Sequence, residues 1–264
     1  FLMKMNKVGC IVQARMGSTR LPGKILKNLE NEKVVLDFVI EQLQHSKNID
    51  EIVIATTNLD EDEQIVEISK KKGIKCFRGS SKNVLERHYQ CAKQFDISTI
   101  VRIPSDKPLI DPTIVDKIID NFKKKSSDYM TNFLPNPTFP EGTEVEVFSM
   151  KALEIAWKNA NLPSEKEHVT NYFENNQNLF KINNIKNSEN LSHLRWVIDR
   201  KEDLELVREI VSKIKKRPIL TLDIIKMFSE FPELIKINEN VNREEGNLKS
   251  LQEDKNFSKK MRSE

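Results

Sequence analysis

Short apolar runs alternate with helix-spaced stretches through the first half of the chain, and this alternation constrains the fold more than any other feature. Val8-Gly-Cys-Ile-Val12 reads as a buried strand by length and composition. Val35, Phe38, Val39 and Leu43 then recur with helical spacing. Residues 51–55 form the next strand. A helix follows, opened by Asp60 with Glu63 three residues on as in a capping box, and closed by Gly73. Residues 74–77 read as a short strand, 84–95 as a helix and 99–103 as another strand. Asp111-Pro112 starts a helix with proline at its first position and Ile114, Val115, Ile118, Ile119 and Phe122 on one face. Repeated strand–helix units predict an α/β chain built on a doubly wound, mostly parallel sheet.

The rhythm breaks after Asp128. Pro135, Pro137, Pro140 and Gly142 mark a loop. Residues 144–148 alternate like an antiparallel strand, and a helix begins at Met150. Ser164 and Glu167 have the spacing of a capping box. Residues 180–185 and 193–198 read as strands, 201–215 as an amphipathic helix, and 221–234 as a helix pair around Pro232. Beyond Asn238 the chain is charged and poorly periodic, which predicts loose order. The organisation expected is one domain over residues 5–240, with 128–185 as an inserted segment and 241–264 as a charged tail.

Several function classes are excluded. No run of 18 apolar residues occurs, so no membrane span is expected, and the apolar run at Val8 is too short for a signal-peptide core. The net charge of +3 is mixed along the chain and offers no basic face for nucleic acid. Cys10, Cys76 and Cys91 lack metal-ligand spacing and read as reduced thiols, which suits a cytoplasmic protein.

The informative segment is Gln13-Ala-Arg-Met-Gly-Ser-Thr-Arg-Leu-Pro-Gly-Lys24, directly after the first strand. It holds two of the chain's seven glycines. Ligands of open α/β sheets bind at the carboxyl ends of strands, and backbone N–H groups exposed there suit phosphate oxygens. Arg15, Arg20 and Lys24 add three cations with no acid between them, an arrangement made for a polyphosphate. The P-loop spacing is not met, because five residues separate Gly17 from Gly23 and Ile25 follows Lys24. The dinucleotide pattern of spaced glycines is absent.

This segment resembles the N-terminal signature of the spore-coat polysaccharide F type (SpsF-type) cytidylyltransferases, relatives of the acylneuraminate and 3-deoxy-manno-octulosonate cytidylyltransferases. The resemblance continues at Phe77-Arg-Gly-Ser80, Val101-Arg-Ile-Pro-Ser-Asp-Lys-Pro-Leu-Ile-Asp-Pro112, Glu167-His-Val-Thr170 and Ile198-Asp-Arg-Lys-Glu-Asp-Leu204, to about Leu251. It implies a nucleotide-diphospho-sugar transferase (glycosyltransferase-A-like) fold and transfer of CMP from CTP to a sugar acid or other small polar acceptor, with release of pyrophosphate, for surface polysaccharide synthesis. It also implies a magnesium ion on Asp106 and Asp199, with Asp106 catalytic, and a homodimer formed through residues 128–185, where Phe133, Leu134, Phe139 and Phe148 stand among loop formers. Ala14, Arg15, Gly17, Ser18, Arg20, Lys24 and Arg78 are the expected nucleotide contacts, with Arg15 and Lys24 also catalytic. Glu144, Glu146 and His168 are the expected acceptor contacts, His168 lying early in a helix where the dipole lowers its pKa. Asn83, Lys107, Lys166 and Glu144 depart from the family pattern, mostly on the acceptor side.

Plainer readings exist for several of these residues. Asp199 has Glu202 three residues on, as in a capping box, and Asp106 precedes a Pro108 turn. Glu144 and Glu146 fit the solvent face of an alternating strand. The fold also serves glycosyltransferases and other nucleotidyltransferases that use phosphorylated or phosphonate acceptors. A metal-binding Asp-x-Asp is approached only by Asp60-Glu-Asp62, at a helix start. A catalytically inactive nucleotide-binding protein is expected to lack Lys24, Asp106 or Asp199, and all three are present.

Overall fold

The computed structural model describes residues 6–241 and 252–259. In chain order its strands and helices are β1 (Val8–Gln13), β2 (Asn28–Glu30), β3 (Lys33–Val34), α1 (Val35–Leu43), β4 (Glu51–Thr57), α2 (Glu63–Lys71), β5 (Lys75–Gly79), α3 (Val84–Gln94), β6 (Thr99–Pro104) and α4 (Pro112–Lys125). They continue with β7 (Tyr129–Thr131), β8 (Glu146–Ser149), α5 (Met150–Asn159), α6 (Pro163–His168), α7 (Asn171–Asn175), β9 (Ile182–Asn184), α8 (Lys201–Lys213) and α9 (Thr221–Glu230).

Seven strands form one sheet in the order β5-β4-β1-β6-β8-β7-β9. β1 lies between β4 and β6 and is parallel to both, and β8 alone runs against its neighbours. The expected doubly wound, mostly parallel sheet is therefore present. Its β1 reads as a continuous apolar run because both faces are covered. Cys10 and Val12 pack with Leu36, Val39 and Ile40 of α1 and with Val115 and Ile119 of α4. Ile11, pointing the other way, packs with Leu85 and Ala92 of α3 and Leu153 of α5. Each such fully buried aliphatic side chain stabilises the fold by roughly 1.5–3 kcal/mol relative to exposure. A third cluster joins Phe38 and Trp196 to α8 and α9.

The structure corrects several local expectations. β7, β8 and β9, which lie within residues 128–185, belong to the same seven-stranded sheet as β1. Of the apolar residues expected at a subunit contact, Phe139 and Phe148 are buried in the core clusters, Leu134 packs against one of them, and Phe133 is half-buried. Asp60 does not cap α2. A short turn covers Asp60–Asp62, and buried Asp62 turns inward to Thr57 and Met16. At α6 the reciprocal acceptor is Glu165, which takes the Asn161 and Leu162 N–H groups, instead of the Ser164–Glu167 pair. Residues 193–198 form a single bridge, Glu141 to Arg195, in place of a strand. Within the tail expected to be loose, residues 252–259 are helical; the same expectation for residues 242–251 and 260–264 concerns positions outside the described residues. No helix among the described residues is long and apolar enough to cross a membrane.

Candidate active site

The chain leaves β1 toward β4 on one side, while β6 lies on the other. This reversal of strand order opens a crevice at the carboxyl ends of β1 and β6, where Gln13 stands in register with Pro104. A cleft of about 280 Å³ occupies it. Arg15, Gly17, Ser18, Arg20, Lys24, Asp106, His168 and Asp199 all line it, so most of the expected site residues converge there.

The loop after β1 is held by a few defined contacts. The Met16 N–H donates to Asp62 Oδ1 at 2.7 Å, which gives the buried carboxylate its purpose. The Gly23 N–H donates to the Met16 carbonyl at 3.3 Å, and Gly23 has φ 62°, a left-handed conformation that glycine adopts without strain. Of the amides expected to cradle phosphate, that of buried Ala14 is taken by the Ala55 carbonyl and that of Met16 by Asp62. The amides of Arg15, Gly17 and Ser18 are the ones left for a ligand.

Lys24 is the centre of the charge arrangement. Its Nζ donates to Asp106 Oδ2 at 2.7 Å and to Asp199 Oδ1 at 3.2 Å. Arg20 grips the same Asp199 with Nε and Nη2, the latter at 2.9 Å from Oδ1. Burial works to lower the Lys24 pKa, but the two carboxylates outweigh it and hold the ammonium above its ordinary value. Burial likewise works to raise Asp199, and Arg20 and Lys24 hold it below the usual carboxylate range. The capping reading of Asp199 fails for a specific reason. At the start of α8 it is Asp203 that accepts the Asp199 and Arg200 N–H groups, at 2.9 and 2.8 Å, which leaves the Asp199 side chain facing the cleft. Asp106 is fixed from behind by the Ile198 N–H, which donates to its carbonyl at 2.8 Å.

Other expected contacts are placed elsewhere. Arg78 donates to the Thr57 and Leu59 carbonyls and pairs with Glu63, bracing the β4–α2 loop outside the cleft lining. Glu144 pairs with Lys107 at 3.0 Å and accepts the Gly142 N–H. Two of the departures from the family pattern are thus each other's partners, and Glu144 does not line this cleft. Glu146 is buried, ion-paired with Arg102 and bonded to the Tyr129 hydroxyl at 2.9 Å. Burial works to raise its pKa, and Arg102 keeps it below the carboxylate range. His168 does line the cleft, but it is the last residue of α6, so the dipole argument does not hold. Burial and nearby Arg102 lower its pKa instead, which keeps the imidazole neutral at pH 7.

Sequence reasoning missed three charged lining residues, Arg102, Glu167 and Glu253. Arg102 had a signal: an arginine inside an otherwise apolar strand needs a buried partner. It bridges Glu146 and Gln13 Oε1, the latter at 3.1 Å. Glu167 pairs with Arg15 at 3.3 Å. Among the described residues no cluster of three or more acids, histidines or cysteines forms a metal cage. Asp106 and Asp199 supply carboxylate oxygens at one point of the cleft, and Asp111 caps α4 as its position before Pro112 requires.

Comparisons with known proteins show the family to which the chain belongs. Residues 9–247 match the cytidylyltransferase family. The spore coat polysaccharide biosynthesis protein SpsF of Bacillus subtilis is 32% identical over 237 residues, covering 87% of this chain and 97% of its own length. The 3-deoxy-manno-octulosonate cytidylyltransferase of Thermodesulfovibrio yellowstonii is 26% identical over 237 residues, covering 80% and 89%. Among solved structures, a cytidylyltransferase from Leptospira borgpetersenii is similar with a TM-score of 0.83 at 35% identity, over 89% of this chain and 98% of that one. The sheet with its one reversed strand is that of the nucleotide-diphospho-sugar transferases. The family match begins inside β1 and runs past α9, taking in the sheet and the loops that carry Lys24, Asp106 and Asp199, and on that ground the chain belongs to the cytidylyltransferase family.

Proposed function

We propose that the cleft transfers CMP from CTP to a sugar acid or another small polar acceptor, releasing pyrophosphate, as a step in building a surface polysaccharide. The observation that carries this reading is the convergence of Asp106 and Asp199 on Lys24, beside a loop with amides available to phosphate oxygens. An acceptor hydroxyl oxygen attacks the α-phosphorus, its proton passing to solvent, and the bond from that phosphorus to the oxygen bridging the α- and β-phosphates breaks. Pyrophosphate carries away the negative charge. The Arg15, Gly17 and Ser18 amides and the Arg20 and Lys24 side chains hold the triphosphate in line and stabilise the charge gathering on the leaving group. His168, neutral and in the cleft wall, meets the acceptor as a hydrogen-bonding group.

The donor set fits a divalent cation, and magnesium in particular. Two carboxylates without a third acid make a poor all-protein cage, but magnesium is commonly bound by one or two carboxylates together with substrate phosphates and water. Asp106 and Asp199 are the residues that hold it in this proposal. When bound, the ion supplies Lewis-acid polarisation of the phosphoryl oxygens. The reading places the reaction in the cytoplasm and, through the family resemblance alone, in a homodimer; light scattering near twice 30.7 kDa checks the latter.

The test is pyrophosphate release by the purified protein with magnesium, a panel of 2-keto sugar acids, and CTP, UTP or ATP as donor. The proposal expects release with CTP that depends on an acceptor. Equal release from UTP or ATP removes the cytidylyl part, and acceptor-independent hydrolysis removes the transfer.

A further inference from the structure

The helix at residues 252–259 lies past residue 247, where the family match ends, yet it reaches the active site. Glu253 lines the same cleft as Arg15, Glu167 and His168. The next residue fastens the helix in place. Asp254 Oδ1 accepts the Ser164 N–H at 3.0 Å, and Asp254 Oδ2 accepts the Ser164 hydroxyl proton at 2.6 Å. Ser164 is buried and belongs to α6, the helix that ends in Glu167 and His168. A bidentate clasp on α6 therefore puts Glu253 on the side of the cleft that carries those two residues.

A carboxylate at that place disfavours phosphate and favours a hydrogen-bond donor. We infer that Glu253 is an acceptor-recognising residue of this chain, taking a hydrogen bond from a hydroxyl or amino group of the acceptor, and that the Asp254–Ser164 clasp is what positions it. The inference rests on the CMP-transfer reading above and names part of its specificity. Because the helix lies beyond the matched family region, the contact is a means by which this chain selects its own acceptor among enzymes that share the CTP-binding half of the cleft.

The experiment uses the full chain with magnesium, CTP and a panel of 2-keto sugar acids that differ in hydroxyl and amino substitution. Glu253→Gln and Asp254→Ala are compared with the unaltered protein. CTP affinity is measured by calorimetry without acceptor, and acceptor KM and kcat by pyrophosphate release. The expected result is CTP affinity within about twofold of the parent in both variants, with acceptor KM raised about tenfold or more and kcat changed less, in line with loss of one hydrogen bond to a charged group. Asp254→Ala, which leaves Glu253 chemically intact, is expected to reproduce the KM effect. Unchanged acceptor KM in both variants overturns the inference and leaves CMP transfer standing. Loss of CTP affinity in parallel with acceptor KM also overturns it, since a general structural role then explains the helix. An unaltered protein that binds no CTP and releases no pyrophosphate with any acceptor overturns the CMP-transfer reading and this inference with it.

Discussion

Asp106 and Asp199 meet on a single ammonium group, with Lys24 Nζ 2.7 Å from one carboxylate and 3.2 Å from the other. They are distant in sequence, one after β6 and the other before α8, and no local motif joins them. Two carboxylates facing one point repel unless a cation stands between them. The Ile198 N–H bond to the Asp106 carbonyl ties the two loops together, so the arrangement is built into the backbone as well as the side chains.

Lys24→Ala is expected to lower turnover by roughly two to three orders of magnitude, the scale of removing one charge-stabilising contact. Folding should survive, because Lys24 sits at the cleft and not in the core. Steady-state kinetics together with a melting curve separate the two effects. Near-parental turnover in a folded variant contradicts the role given to the loop.

Gly142→Ala tests the segment that presents Asp199. Gly142 has φ 109°, and an added Cβ falls 2.9 Å from Trp196 Cδ1 and 2.9 Å from the Val197 nitrogen. The adjacent Glu141 pairs with this strip through the Trp196 N–H at 2.8 Å. Strain and overpacking together should cost about 3 kcal/mol in urea unfolding. A loss below about 1 kcal/mol goes against this packing.

Glu174 gives a pH signature. Burial and the Glu146 charge push its pKa up to about 7 against an ordinary 4.5, with Arg102 opposing. Between those values the native state holds a proton that the unfolded chain has lost. Stability from this group is complete below 4.5, declines as pH rises through 7, and is flat beyond. Glu174→Gln is expected to remove that decline in a series of melting temperatures from pH 5 to 8. An unchanged pH slope in the variant contradicts the assignment.

Much of the fold was legible because β1 and its neighbours are buried on both faces and so read as unbroken apolar runs, while α1 and α4 show one clear stripe each. The loop residues Arg15, Arg20 and Lys24 were legible because cations clustered after a strand have few other uses. What was not legible depended on partners distant in sequence. Spacing alone could not decide whether Asp199 or Asp203 serves α8, since acids stand at both positions and at Glu202; the backbone amides chose Asp203. Glu146 alternates like a surface residue, but Arg102 on the neighbouring strand draws it inward. Asp62 looked like part of a helix start, and its real partner is the Met16 amide in another loop. Glu253 lies in a charged stretch with little periodicity, and its place is set by Ser164 through its neighbour Asp254.

The most direct test of the central claim is a double-mutant cycle on Asp106→Asn and Asp199→Asn, following pyrophosphate release against magnesium concentration. If both carboxylates hold one cation at the α-phosphate, each single variant loses most of the turnover and shifts the magnesium midpoint upward, and the double variant loses little more than either single one. Rate losses that multiply, with the magnesium midpoint unchanged in Asp199→Asn, contradict a shared site and reduce Asp199 to a partner of Arg20 and Lys24.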